Sequence, residues 1–298
     1  MPFKPLTIGQ RSFAWGDRTY VMGIINLTPD SFSGDGLLVS ELSVAQLVES
    51  AVVQARQFAS GGADILDVGG ESTRPGAQPV SAKQELERVI PVIQALLAEF
   101  ELPVSVDTYK AAIAEAALQA GAHMVNDVWG FRADPELAGV VARYQVPVIL
   151  MHNRSSWVHA EIKEHLGGHY VGMAYDNLLE DICRELLESV ALAHAAGIPD
   201  EAIILDPGIG FGKTVEQNLE LVDRLGEIRA LGYPVLLGPS RKSFIGYTLD
   251  APPNQRLEGT AAAVAVGIAR GADIVRVHDV EYMVRVARMT DAIVRRNS

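Results

Sequence analysis

Short β-branched runs alternate with Ala/Leu/Glu-rich stretches of helical spacing along the whole chain. The strand-like runs are YVMGII (20–25), DILDV (64–68), PVSV (103–106), HMVND (123–127), PVIL (147–150), AIILD (202–206), PVLLG (234–238) and DIVRV (273–277). Helix-like segments lie near 43–60, 81–98, 110–120, 134–144, 174–196, 216–230, 256–270 and 279–295. Runs of about five apolar residues followed by a 3.6-period stretch mark βα units. Glycine closes several helices, as in ASGGAD, QAGAH, AAGIP and ARGAD, where the C-terminus must turn through positive φ. Eight such units in roughly 250 residues predict an α/β fold, a single closed (β/α)8 barrel. An open doubly wound sheet would show a Gly-rich turn directly after its first strand. Here that strand runs instead into the long loop NLTPDSFSGDGLLVSELS. The opening LTIGQRSFAWGDRTY reads as two short strands around a turn, so residues 1–19 are expected to form a hairpin closing the barrel's lower end. No linker or low-complexity stretch interrupts the pattern, which predicts one domain over residues 1–298.

Composition narrows the classes of partner. The chain is 48% hydrophobic, with a formal charge of −12 and a pI near 5.0. That balance gives no electrostatic footprint for nucleic acid or for an anionic membrane surface. An anionic ligand must therefore be caught by a local cluster. Cys183 is the single cysteine and lies in the apolar-periodic ICRELLESVALA, so no internal disulfide forms and a half-buried thiol is expected. No stretch has signal-peptide or membrane-span length, and the expectation is a soluble cytoplasmic protein.

In a barrel of this kind the chemistry sits at the C-terminal strand ends. The first strand ends in Asn26, the second in Asp67 followed by Glu71, Ser72, Thr73 and Arg74. Asp107 ends the third, Asn126 and Asp127 the fourth, Met151, His152 and Asn153 the fifth, and Asp206 the sixth. The seventh leads through Gly238 into Ser240, Arg241 and Lys242, and the eighth carries Arg276 and His278. One such Asp or Asn is ordinarily a helix cap or loop anchor, but a cap needs no arginine. Alternate positions of a strand share a face, which puts Arg276 and His278 together. Two zones are expected. Arg74, Arg276, His278 and Asn26 are rich in donors for phosphate oxygens. Asp107, Asn126, Asp206 and Lys242 can hydrogen-bond a flat heterocycle carrying both donors and acceptors.

The stretch LDPGIGFGKT (205–214) ends like a phosphate-binding P-loop. The pattern wants a glycine where Pro207 stands, Gly208 comes one residue too late, and the acid Asp206 would repel phosphates. It is read instead as the end of the sixth strand, with Lys213 and Thr214 starting the next helix and Lys213 near the substrate. His123, His159, His165, His169 and His194 fall at no motif position. His165 and His169 are spaced i, i+4, but Gly167 and Gly168 between them argue against the helix a zinc pair would need.

The stretches MGIINLTPDSFSGDG, DVGGESTRPGA, VSVDTYK, NDVWGF, LDPGIGFGK, LLGPSRKSFIG and IVRVHDV, in this order, resemble the dihydropteroate synthase family over about residues 20–285. The resemblance implies a barrel enzyme of folate synthesis, usually a homodimer. It joins p-aminobenzoate to 6-hydroxymethyl-7,8-dihydropterin diphosphate, releasing pyrophosphate, with Mg²⁺ assisting. It assigns the pterin to Asp107, Asn126, Asp206 and Lys242, with Met151, Phe211 and Gly238 shaping the slot. It assigns the diphosphate to Asn26, Arg276 and His278 with Thr73 and Arg74 nearby, Asn26 being the Mg²⁺ contact. Ser243, Phe32 and Pro75 are implied for p-aminobenzoate, and Asp30 or Asp35 for ordering the first loop or accepting a proton. Catalysis falls to Arg276, His278, Lys242 and Asp107. The family often shows Ser-Asp-Gly-Gly after the first-loop phenylalanine, whereas here the order is Ser33-Gly34-Asp35-Gly36. A pterin-binding methyltransferase domain and a non-catalytic pterin-binding protein are the alternatives. Neither needs the full set of diphosphate residues.

Overall fold

The computed structural model describes residues 3–27, 43–72, 80–156, 159–163, 165–171 and 174–296. The chain opens with an antiparallel hairpin, β1 (Leu6–Ile8) and β2 (Arg11–Phe13). The barrel then begins with β3 (Tyr20–Asn26), β4 (Ile65–Gly69), β5 (Val104–Asp107), β6 (Met124–Asp127) and β7 (Val148–Met151). A second hairpin, β8 (Ala160–Lys163) and β9 (Gly167–Tyr170), leaves it there. It is completed by β10 (Ile203–Asp206), β11 (Leu236–Leu237) and β12 (Ile274–Val277). The eight barrel strands pair in parallel in the order β10-β7-β6-β5-β4-β3-β12-β11. A bridge between Leu205 and Val235 closes the ring, with the Leu205 N–H donating to the Pro234 carbonyl at 2.9 Å.

The helices around this ring are α1 (Val44–Gly61), α2 (Ala82–Glu99), α3 (Ala111–Gln119), α4 (Leu137–Tyr144), α5 (Leu178–Ala195), α6 (Val215–Asp223), α7 (Leu225–Arg229), α8 (Ser243–Leu249), α9 (Leu257–Ala269) and α10 (Val280–Val294). Ser43, Ser81 and Thr214 start three of them with capping boxes closed by Gln46, Gln84 and Gln217, each satisfying two otherwise unpaired N–H groups. Three features depart from the sequence reading. The helix expected over 216–230 breaks at Arg224 into α6 and α7. That expected over 174–196 starts later, because the Asn177 side chain caps it. The β8–β9 hairpin and the seven-residue α8 lie in segments without a clear period. Among the described residues no helix is long and apolar enough to cross a membrane.

Period-two alternation along the strands divides two kinds of side chain. Val21, Leu66, Val68, Val104, Val106, Val125, Leu150, Leu205, Leu237 and Val275 face the helices and join the large outer core. Met22, Ile65, Met124, Ile149, Ile204, Leu236 and Ile274 point into the barrel. They meet Leu6, Ile8 and Phe13 from the amino-terminal hairpin, which plugs the lower end, together with Trp15 just after it and Tyr20 at the start of β3. Phe13 sits 4.6 Å from the Tyr20 ring and 5.9 Å from Trp15, centroid to centroid. At the next inward level seven of the strands carry Asp67, Ser105, Asn126, Met151, Asp206, Gly238 and Arg276, while β3 carries Ile24. The apolar plug is thus the floor of a polar layer.

Truncating the plug tests how far that floor carries the fold. Phe13→Ala, at a side chain 1% exposed, is expected to lower stability by about 3–5 kcal/mol, read as a drop in the urea midpoint with an unchanged slope.

Candidate active site at the strand ends

Strand register sets the site before any side chain does. Asn26 lies beside Gly69, Gly69 beside Asp107, and Asp107 beside Asn126, while Asp206 lies beside Met151. Directly paired residues of parallel strands face the same side, so the two amides and Asp107 line one level of the recess. Gly69 leaves a gap there. A Cβ at that position would stand 3.5 Å from Asp107 Oδ2 and 3.7 Å from Asn26 Oδ1.

Arg276 ties the recess together. Its Nε donates to Asp67 Oδ2 at 2.6 Å and its Nη2 to Asp107 Oδ2 at 2.6 Å. The same Asp67 oxygen accepts from Asn126 Nδ2 at 3.0 Å. The separate phosphate and heterocycle zones expected from sequence therefore share one guanidinium, which holds Asp107 of the second zone while belonging to the first. Asp67 is fully buried, and sequence reasoning gave it no role. The available signal was its place in DVGGEST, at an inward position two residues before Gly69.

Electrostatics follow from burial. Desolvation pushes the Asp107 carboxyl up to about 7, against the pull of Arg276 and with the push of Asp67. Asp206 is raised by burial, moderated by Lys242 and by the Gly208 N–H, which donates to its Oδ1 at 2.7 Å. Burial draws the Lys242 ammonium down to about 8, although Asp206 opposes this. Arg276 is buried as well, but its two carboxylates outweigh desolvation and hold it above its ordinary value. The recess thus holds acids and cations whose charges nearly balance.

The upper wall comes from loops. Lys242 precedes α8, its ammonium 4.6 Å from the centre of the Phe211 ring and hydrogen-bonded to the Ile209 carbonyl. Gly238 is buried below it, and a Cβ there would meet Arg276 Cβ at 3.8 Å and Lys242 Nζ at 4.0 Å. Ser243 is the first residue of α8. His278 lies just past β12, and its Nδ1 is 2.9 Å from Ser240 Oγ, which also accepts from the His278 N–H at 3.1 Å. Asn26, Asp107, Asn126, Met151, Asp206, Phe211, Gly238, Lys242 and Arg276 are thereby gathered at the carboxyl ends of the strands, with Ser243 next to Lys242 at the start of α8 and His278 bonded to Ser240. Thr73, Arg74, Phe32, Pro75, Asp30 and Asp35 lie outside the described residues.

Lys213 differs from its expected place. It does not begin a helix, because Thr214 caps α6. The side chain is 1% exposed and lies under the LDPGIGFGKT loop, donating to the Gly208 and Phe211 carbonyls at 2.9 and 3.0 Å. Among the described residues no group of three or more His, Cys, Asp or Glu side chains is placed to hold a metal ion.

A buried ionic recess at the carboxyl ends of a (β/α)8 barrel defines a small-molecule enzyme site. Residues 22–278 match the family described as pterin binding enzyme, and the chain belongs to that family. Within it the similarity lies with the dihydropteroate synthases. Over 292 residues the chain is 50% identical to the dihydropteroate synthase of Clostridium beijerinckii, covering 98% of this chain and 100% of that one. A structure of the Xanthomonas albilineans dihydropteroate synthase with 4-aminobenzoic acid superposes with a TM-score of 0.84 at 40% identity, covering 97% of each chain. The same enzyme in complex with 7,8-dihydropteroate gives a TM-score of 0.82 at 38% identity, covering 97% of this chain and 98% of that one.

The raised Asp107 predicts a pH dependence with a definite sign. The folded protein holds a proton on Asp107 through the window from about 4, the ordinary carboxylate value, to about 7. This group's contribution to stability is complete below the lower value and is lost as the pH rises through the upper one. Asp107→Asn removes the titrating group. Wild-type stability relative to that variant is therefore expected to fall from pH 5 to pH 8, with a slope of at most about 1.4 kcal/mol per unit, in urea titrations at each pH.

Proposed function

We infer that the chain joins 6-hydroxymethyl-7,8-dihydropterin diphosphate to p-aminobenzoate, giving 7,8-dihydropteroate and pyrophosphate. The chain is an enzyme of the transferase class acting in folate synthesis. The observation that carries this reading is Arg276, a phosphate-type cation held on the carboxylate of Asp107 and sharing an Asp67 oxygen with the amide of Asn126. Heterocycle and diphosphate groups share one recess.

Asp206, Asn126 and Asp107 offer acceptors and donors to the aminopyrimidinone edge, and Lys242 donates to a ring nitrogen or carbonyl. Met151, Phe211 and Gly238 bound the flat slot. Arg276 and His278, with Thr73 and Arg74, receive the diphosphate. Ser243, Phe32 and Pro75 receive p-aminobenzoate. The bond between the exocyclic CH₂ carbon and the diphosphate oxygen breaks, and the pair of electrons leaves with pyrophosphate. The aniline nitrogen donates its lone pair to that carbon and loses one proton. An aromatic amine is unprotonated near neutral pH, so no strong base is required. The work of the site is orientation and stabilisation of the leaving charge by Arg276 and His278. Asp30 or Asp35 is assigned to ordering the first loop or accepting the proton.

The donor set fits Mg²⁺, which binds through substrate phosphates plus one or two protein oxygens. Asn26 Oδ1 supplies such an oxygen beside the space left by Gly69. When bound, the ion neutralises charge on the diphosphate. A homodimer is supported by one side of α10, where Tyr282, Met289 and Ile293 are each more than half exposed. The lone cysteine is consistent with a reducing cytoplasm.

The assay is pyrophosphate release by purified protein. Release is expected only with Mg²⁺ and both substrates, and chelation with EDTA should stop it until Mg²⁺ is restored. Arg276→Ala should lower kcat/KM at least about 100-fold. Release that persists without p-aminobenzoate, or an unchanged rate in the variant, would sink the reading.

A further inference from the structure

The LDPGIGFGKT loop is built with its carbonyls turned toward lysines. Gly208, Gly210 and Gly212 all adopt positive φ, at 73°, 80° and 62°. Between them the Gly208 and Phe211 carbonyls accept from Lys213 beneath the loop, and the Ile209 carbonyl accepts from Lys242 on the recess side. Two ammonium groups thus hold three carbonyls of the loop. The grip places the Phe211 ring against Lys242.

Lys213 is itself held from behind. Its third contact is His152 Nδ1 at 3.0 Å, and His152 Nε2 lies 3.1 Å from Glu185 Oε2. Arg154 also bonds Glu185, through Nε at 2.9 Å and through Nη2, and Arg132 lies 3.3 Å from it. His152 is 1% exposed, and its backbone N–H donates to the Asp206 carbonyl at 2.9 Å. A Cβ added at Gly208 would fall on the His152 carbonyl oxygen, so loop and histidine are packed without slack. Three acceptors around Lys213 match the three protons of an ammonium. Burial drives Lys213 well below its ordinary value, with repulsion from Lys242 adding to it and Asp206 opposing it, and burial together with the Lys213 charge lowers His152. Burial alone would raise Glu185, but His152 and Arg154 hold it well below the usual carboxylate range. The chain from Glu185 to the loop is continuous, with His152 and Lys213 buried and Glu185 partly exposed.

We propose that Lys213 is a positioning residue for the pterin, fixing the Gly208–Phe211 loop through its carbonyls, with His152 and Glu185 setting its direction. Lys213 touches no substrate in this role. It acts through the Phe211 wall and through the carbonyl that orients Lys242. The proposal rests on the reading of the recess as a pterin site. It deepens that reading by locating part of the pterin's affinity outside the residues that contact it.

The test is a split between the two Michaelis constants. Lys213→Met keeps the unbranched stem out to Cε and removes the ammonium with its charge and donors. It should raise the KM for the pterin diphosphate about tenfold to a hundredfold, the range expected for losing hydrogen bonds from a charged donor. The KM for p-aminobenzoate should stay within about threefold. A second pair of variants applies even if Lys213→Met does not fold. The amide of His152→Gln can accept from Lys213 and donate to Glu185, whereas His152→Leu can do neither. Gln should keep the pterin KM within about threefold and Leu should raise it selectively. Equal pterin KM values in the Gln and Leu variants would overturn the proposal. So would a folded Lys213→Met with both constants unchanged or both raised alike. Absence of pyrophosphate release by the wild-type protein would instead overturn the reading of the site itself.

Discussion

A guanidinium inside a barrel must be paired, and that constraint organises the upper half of this molecule. Arg276 on β12 reaches past β3 to Asp67 on β4 and Asp107 on β5. Replacing such a buried ion pair by well-packed apolar groups often costs a protein nothing in stability, whereas removing one partner strands the other. The pair is therefore better understood by what it orients. Asp67 fixes one edge of the guanidinium and, through the same oxygen, the Asn126 amide. Asp107 is fixed by the other edge. Four strands, β12, β4, β5 and β6, are tied together at the level where a ligand would lie.

The lower half makes this possible. A ring of isoleucine, leucine and methionine side chains, sealed by the hairpin aromatics, keeps water from the base of the polar layer. Arg18 and Asp64 guard the rim below, the carboxylate also accepting from the Val21 N–H at 2.8 Å. Poor hydration is what lifts Asp107 and lowers Lys242. Stability and reactivity are thus consequences of one alternation along the strands, read at two heights.

Much of this was legible in the sequence, because period two and helical spacing are properties of contiguous residues. Each barrel strand lies within a residue or two of its expected place, and the polar residues gathered at the strand ends are those the pattern isolated. What escaped depends on pairings distant in sequence. Asp67 looked like one strand-end acid among many until Arg276, more than two hundred residues later, met it. Lys213 looked like a helix start because nothing local shows that His152 lies behind it. The β8–β9 hairpin carries two adjacent glycines and no alternation, and α8 is too short for a helical period to emerge. Arg224 divides a continuous amphipathic stretch through the backbone angle of a single residue.

The LDPGIGFGKT loop also explains why a phosphate-binding signature can arise where the loop's partners are cations. Consecutive peptide groups that alternate in handedness can present either of their two ends inward. When the N–H ends converge they form a nest for anions. Here it is C=O ends that meet cations, two of them on Lys213 and one on Lys242. Glycine is required in both cases, since either arrangement demands positive φ. A glycine-and-lysine string therefore specifies the curvature of a peptide but leaves its electrical sense undetermined. In this chain that sense is set by an acid at the strand end and by a lysine folded inward under its own loop.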